Sequence, residues 1–268
     1  MNKVFFVLLS VLLISSCSPF QKAMKSEDVA LKYTVAEEQY EAGKYDKAIR
    51  LFEQIAPSFR GKPQAEKLFY MFAQSYYKTN QYYLAGYQFE SFVSSYPKSE
   101  KLEEAAYLGA FCYSKLAPVY SLDQTDTNRA IDKMQNFIDT YPESTYQKDA
   151  NLIVKELREK LEKKAFEIAK QHYTIAEAVR DYNAPLVALD NFISDYPGTP
   201  FREEAYYLRF EASFEYAKRS VDAKVKIRLE EALVAYDKLI KLYPESKFKE
   251  KADKIKAEIN KMLQQYSK

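Results

Sequence analysis

Apolar and small residues return along the chain at helical spacing, and the pattern itself repeats. In "YTVAEEQYEAGKYDKAIRLFEQI", Tyr33, Ala36 and Tyr40 fall at i, i+3 and i+7, one face of an α-helix. The stretch "YMFAQSYYKTNQYYLAGYQFESF" carries the same residues 37 positions later. That offset places Tyr33 on Tyr70, Ala36 on Ala73, Tyr40 on Tyr77, Tyr45 on Tyr82, Ala48 on Ala85 and Phe52 on Phe89. Applied again, it carries Tyr70 and Ala73 onto Tyr107 and Ala110. A fixed period of this kind marks stacked units, each burying its apolar face against its neighbours.

Punctuation recurs as well, in "SYPKSE", "TYPEST", "DYPGTP" and "LYPESK". Eight residues after Pro97, Pro142, Pro197 and Pro244 stand Ala105, Ala150, Ala205 and Ala252. The residue before a proline is pushed out of the α region, so a helix is expected to stop at each tyrosine. A Ser or Thr two residues past the proline is placed to cap the next helix, and Pro200 suits a first helical turn. Ser144 and Gln147 have the spacing of a capping box. The alanines fit where neighbouring helices approach closely.

This register predicts five helical hairpins, with second helices beginning near Tyr45, Tyr82, Asn128, Tyr182 and Leu229. The fourth is expected to start late, because Pro185 stands where the alanine belongs. The first closes on Ala56-Pro57 instead of Tyr-Pro. Two insertions break the period: Ser114 to Thr127, and a charged helical stretch from Gln147 to Tyr173. The second is expected to form one long helix. Residues 28–145 are then repeats one to three, and residues 146–268 hold the connecting helix and repeats four and five. The final Lys-rich helix, Ala252 to Tyr266, reads as a solvated cap. These features resemble the tetratricopeptide repeat, which implies an all-α solenoid of antiparallel helix pairs.

The amino-terminal pattern is different. Lys3 precedes an apolar run of 11 residues, Val4 to Ile14. A membrane-spanning helix needs about 20, so the run reads as a secretory signal, with small Ser15 and Ser16 before the cleavage site. Ile14-Ser15-Ser16-Cys17 resembles the bacterial lipoprotein lipobox. That resemblance implies a signal peptide at residues 1–16, lipid attachment at Cys17 and a lipidated tether at 17–27. Each buried CH2 of an acyl chain contributes about 0.8 kcal/mol, and two or more chains anchor stably. Ser18, rather than Asp, implies export to the outer membrane under the best-known sorting rule. A plain secreted protein whose mature amino terminus happens to be cysteine is the alternative.

Composition narrows the function classes. The whole chain has 40 Lys and Arg against 38 Asp and Glu, and only Lys3 leaves with the signal. A nearly neutral mature chain gives no electrostatic case for nucleic acid. After Cys17 only Cys112 remains, so no disulfide framework exists and stability rests on packing. Five glycines against 24 tyrosines and 17 phenylalanines favour helices over strands and turns.

Two stretches narrow the family. "SLDQTDTNRAIDKMQNFIDTYPESTYQKDA" joins an insertion to a second helix and its Tyr-Pro ending, and "LREKLEKKAFEIAKQHY" follows as the long helix. With five repeats and a lipobox, these resemble the BamD family of lipoproteins of the β-barrel assembly machinery. The resemblance implies a scaffold on the periplasmic face of the outer membrane. Its implied partners are a BamA-like β-barrel insertase, bound through the C-terminal repeats, further assembly lipoproteins, and unfolded outer-membrane proteins, bound through the N-terminal repeats. It implies no cofactor and no catalysis. A different lipid-anchored repeat protein, coordinating envelope complexes or capturing glycans, stays open beside it.

Candidate chemistry is sparse. His172 is the only histidine, and Cys112 lies among Phe111 and Tyr113, where a free cysteine behaves as a small apolar residue. "DQTDTN" lacks the glycine and the full ligand pattern of a calcium loop, so no metal site is expected. The tyrosines are the better candidates. Tyr33, Tyr40, Tyr70, Tyr77 and Tyr107 fall at first-helix positions that face the concave groove in such repeats. Their rings suit either peptide recognition or packing between repeats.

Overall fold

A computed structural model describes residues 18–266, so the expected signal peptide and Cys17 lie outside the described residues. Those residues form twelve α-helices and no strand. They are α1 (Pro19–Lys25), α2 (Val29–Glu41), α3 (Tyr45–Phe59), α4 (Ala65–Lys78), α5 (Tyr82–Ser95) and α6 (Leu102–Leu116). There follow α7 (Thr125–Thr140), α8 (Gln147–Val179), α9 (Ala184–Asp195), α10 (Arg202–Lys218), α11 (Asp222–Leu242) and α12 (Lys249–Leu263), then a 3-10 turn, Gln264–Tyr266. The fold class is all-α, as the spacing predicted. The chain divides into two compact units, one reaching Pro118 and including Thr125–Val154, the other Val119–Gln124 and Lys155 onward.

In the first unit α2/α3, α4/α5 and α6/α7 are antiparallel hairpins. The residues superposed by the 37-position offset form its centre: Ala36, Ala48, Phe52, Ala73, Ala85 and Phe89 are all fully buried. Gly86 and Gly109 let α5 and α6 approach closely. A Cβ on Gly86 would lie 3.1 Å from the Tyr113 ring, and one on Gly109 3.2 Å from Phe89 Cβ. Glycine costs about 1 kcal/mol in a helix interior, and this close contact offsets it.

Hairpin turns share one device. Gly43 and Asn80, again 37 apart, both take left-handed backbone, with φ of 69° and 59°. Lys44 N–H then reaches Gln39 O at 2.8 Å, and Gln81 N–H reaches Tyr76 O at 2.9 Å, closing a Schellman motif at each helix end. The second unit repeats it with Arg180 at φ 54°, where Asp181 N–H reaches Ala176 O at 3.1 Å.

The Tyr-Pro boundaries behave as expected: Tyr96, Tyr196 and Tyr243 are C-caps with ψ of 61°, 66° and 75°. Ala105, Ala150, Ala205 and Ala252 are fully buried. The serines act differently from the expectation. Helices α6, α10 and α12 start three residues beyond Ser99, Thr199 and Ser246, and their N-cap residues make no side-chain cap bond. Each hydroxyl instead accepts an N–H two residues on, from Lys101, Phe201 and Phe248. Nor does Gln147 close a capping box with Ser144. Its Nε2 donates to Ile138 O and Tyr141 O at 2.8 and 2.7 Å, satisfying the carbonyls that end α7.

Several boundaries move. Pro57 lies inside α3, which continues to Phe59. Proline removes one i→i−4 bond there, and the helix runs on for only two more residues. Helix α7 starts at Thr125 rather than Asn128, and α11 at Asp222, seven residues before Leu229. Helix α9 starts at Ala184 with Pro185 in its first turn, two residues after Tyr182. The long helix runs 33 residues, past Tyr173 to Val179. The stretch expected as a tether is largely α1, which buries Phe20 and Ala23 against the first hairpin.

In the second unit the later part of α8 pairs with α9, and α10 with α11. Phe166 meets Phe192 with centroids 5.4 Å apart, and Leu189, Phe210, Leu229 and Leu239 fill the core. Residues 119–124 belong here. Gln124 Nε2 donates to Val119 O and Leu122 O, both at 2.9 Å, and Lys164 Nζ donates to Leu122 O at 2.6 Å.

Candidate functional site

The first helix of each hairpin positions the candidate tyrosines. Tyr33 and Tyr40 stand on α2, Tyr70 and Tyr77 on α4, and Tyr107 on α6. Each packs against the second helix of its own hairpin or the turn before it. Tyr33 stacks on Phe59 at 5.1 Å, Tyr70 meets Phe92 at 5.5 Å, and Tyr107 meets Phe137 at 5.5 Å. Tyr40 and Tyr77 meet Tyr45 and Tyr82 edge-on, at 5.6 and 6.3 Å.

Tyr33, Tyr40, Tyr70 and Tyr77 are half-buried, whereas Tyr107 is only 9 % exposed. The reason lies at the next repeat boundary. The residue four beyond each Tyr-Pro proline reaches back to the aromatic one hairpin earlier. Tyr146 stacks on Tyr107 at 4.3 Å, Phe201 on Phe166 at 5.2 Å, and Phe248 on Tyr207 at 4.5 Å, all within 11° of parallel. Beside Tyr70 that position is Lys101, whose Nζ lies 5.6 Å from the ring centroid. A lysine covers less of the ring than an aromatic does, so Tyr70 stays accessible while Tyr107 is committed to packing.

Electrostatics on this face are largely internal. Lys67 pairs with Glu37, and Lys101 with Glu104 at 3.0 Å. The Tyr70 hydroxyl accepts from Gln74 Nε2 at 2.9 Å and bonds Glu104. Burial, then the Glu104 bond, raises the Tyr70 pKa well above the usual phenol value. Burial likewise raises Tyr33 with help from Glu37, Tyr40 with help from Tyr45, Tyr77 with help from Cys112, and Tyr107 with help from Asp149. All five hydroxyls are therefore protonated at neutral pH, and Tyr70 gives its one hydrogen to Glu104. Chemically the face offers ring surface and hydroxyl donors.

No group of three or more His, Cys, Asp or Glu suited to a metal ion occurs among the described residues. Cys112 is fully buried, and burial pushes its thiol up to about 12, the opposite of an activated nucleophile. His172 is exposed on α8.

Comparison with known families decides what kind of repeat protein this is. The model of the YfiO family, outer membrane lipoproteins, matches residues 25–180 and 176–267. The chain belongs to the YfiO family. YfiO-family membership associates it with the outer membrane, and no described helix is long and apolar enough to cross one. Two crystal structures of nearly identical TPR-like repeats, from a Podosopora anserina kinesin light chain, are similar to the chain at 13 % identity. The matches span 82 % and 83 % of this chain and 96 % and 98 % of theirs, with TM-scores of 0.32 and 0.31. The hairpins described above, not that likeness, establish the repeat architecture. No curated protein matches the chain.

Sequence reasoning missed three parts of this face: Glu104, Lys101 and the stacking partners. A signal for the partners was present, because Tyr146, Phe201 and Phe248 share one offset from Pro142, Pro197 and Pro244.

Proposed function

We propose that this YfiO-family chain is a BamD-like scaffold of outer-membrane β-barrel assembly. It is anchored through lipid on Cys17 and faces the periplasm. Its C-terminal repeats hold a BamA-like insertase, and its first-helix tyrosines receive the C-terminal segment of an unfolded outer-membrane protein. Residues 28–145 form the substrate-binding part, and 146–268 the insertase-binding part. The observation that carries this reading is the family match over residues 25–180 and 176–267. The four half-buried tyrosines support it, since an extended aromatic segment gains both stacking area and hydroxyl donors there.

Co-purification tests the scaffold. Mild detergent extraction of the tagged protein is expected to bring down a large barrel protein with soluble periplasmic repeats, and its absence at native expression would overturn the reading. The peptide face has its own test. Tyr40→Ala with Tyr70→Ala should weaken binding of a C-terminal outer-membrane peptide about tenfold, near 1.4 kcal/mol, with circular dichroism unchanged. Unchanged peptide affinity in the folded variant would place substrate elsewhere.

A further inference from the structure

Helix α1 carries a cationic surface at the end of the molecule where the chain leads to Cys17. Lys22 and Lys25 are exposed on α1, and Lys47 and Arg50 are exposed on α3 beside it. Lys47 Nζ and Arg50 Cζ lie 5.4 and 5.6 Å from the Phe20 ring centroid, so the buried Phe20 of α1 holds two cations of α3 against the helix that carries Lys22 and Lys25. No salt bridge among the described residues engages any of these four cations. Glu27, just past α1, and Asp46, beside Lys47, are the carboxylates closest in sequence, and both are exposed. The placement is held by α1 itself: Ser18 Oγ accepts Gln21 N–H at 3.3 Å, and Met24 Sδ accepts from Gln54 Nε2 at 3.9 Å.

We propose that this cluster docks on the anionic phospholipid headgroups of the membrane that holds the protein. The inference rests on the lipid attachment at Cys17 proposed above. Cys17 stands two residues before Pro19, and two residues of chain span at most about 7 Å. A lipid on Cys17 therefore brings the headgroup layer close to the start of α1, where Phe20 carries Lys47 and Arg50 over its ring and Lys22 and Lys25 follow on the same helix. Basic residues near an anionic surface attract it, and the effect fades beyond a Debye length, about 8 Å at physiological salt. An acyl anchor fixes one point only. A charged contact beside it limits the directions in which the first hairpin leaves the membrane.

The test removes the lipid, so that failure of the anchor and failure of the patch are separable. The chain from Ser18 to Lys268 keeps every described helix. Its sedimentation with phosphatidylcholine vesicles, with and without phosphatidylglycerol, measures headgroup binding directly. The expected result is binding only to the anionic vesicles, lost on raising salt. Lys22→Gln, Lys25→Gln, Lys47→Gln and Arg50→Gln together should weaken it roughly tenfold or more. Lys224→Gln, Lys226→Gln, Lys241→Gln and Lys251→Gln together remove the same charge elsewhere and should leave it nearly unchanged. Absence of binding, equal binding to neutral vesicles, or equal loss in both variants would overturn the proposal. Fatty-acid labelling of full-length protein, abolished by Cys17→Ala, checks the anchor separately.

Discussion

Tyr146 lies flat on Tyr107, ring centroids 4.3 Å apart and planes 11° from parallel, although 39 residues separate them. The contact ties the start of α8 to the first helix of the preceding hairpin. Phe201 on Phe166 and Phe248 on Tyr207 repeat it, so the stack is a standard joint of this chain. Tyr107→Ala is expected to destabilise the protein by about 3–5 kcal/mol, the usual range for emptying a buried aromatic site. Tyr146→Lys should cost less than Tyr146→Ala, because Lys101 serves at the equivalent position over Tyr70. Urea denaturation of the three variants checks the order; equal losses for Lys and Ala would show that ring coverage is immaterial.

Arg180 holds left-handed backbone that Gly43 adopts in the first hairpin. A non-glycine residue there costs about 1–2 kcal/mol, which glycine avoids. Arg180→Gly is expected to raise the melting temperature and Gly43→Ala to lower it. Thermal scans of both variants read the two signs directly.

Ser144 Oγ donates to Glu103 at 2.5 Å while accepting Tyr146 N–H at 3.1 Å. Ser99 with Glu66 and Ser246 with Glu203 make the same latch, at 2.6 and 2.7 Å. Ser144→Ala should cost about 1–2 kcal/mol, and Glu103→Ala a similar amount. The double variant should lose little more than either single one, because each removes the same bond. Additive losses in denaturation would refute the latch.

Cys112 is protonated at every pH well below about 12, and it is fully buried. Its thiol should resist alkylation by iodoacetamide at pH 8 in the native protein and react fully in denaturant. Mass spectrometry of the tryptic peptide distinguishes the two; ready native labelling would mean that the second and third hairpins open easily.

What the sequence determined was the part set by local rules. The 3.6-residue recurrence of Tyr33, Ala36 and Tyr40 specifies helices, and the 37-residue offset specifies their pairing. The restriction on the residue before proline ends helices at Tyr96, Tyr196 and Tyr243 without reference to anything distant. The tertiary structure decided how side chains at those positions are used. Ser99, Ser144 and Ser246 have the composition of helix caps, yet their hydroxyls go to glutamates 33 to 43 residues earlier, because packing brings those carboxylates near. Tyr70 and Tyr107 occupy one register position, but a lysine covers the first and a ring the second. Phe20, read as part of a tether, is buried because the first hairpin offers α1 an apolar face. Helix formation needs only neighbours in sequence. Coverage of a ring, or the partner of a hydroxyl, depends on which atoms the folded chain brings within a few ångströms, and local spacing does not encode that.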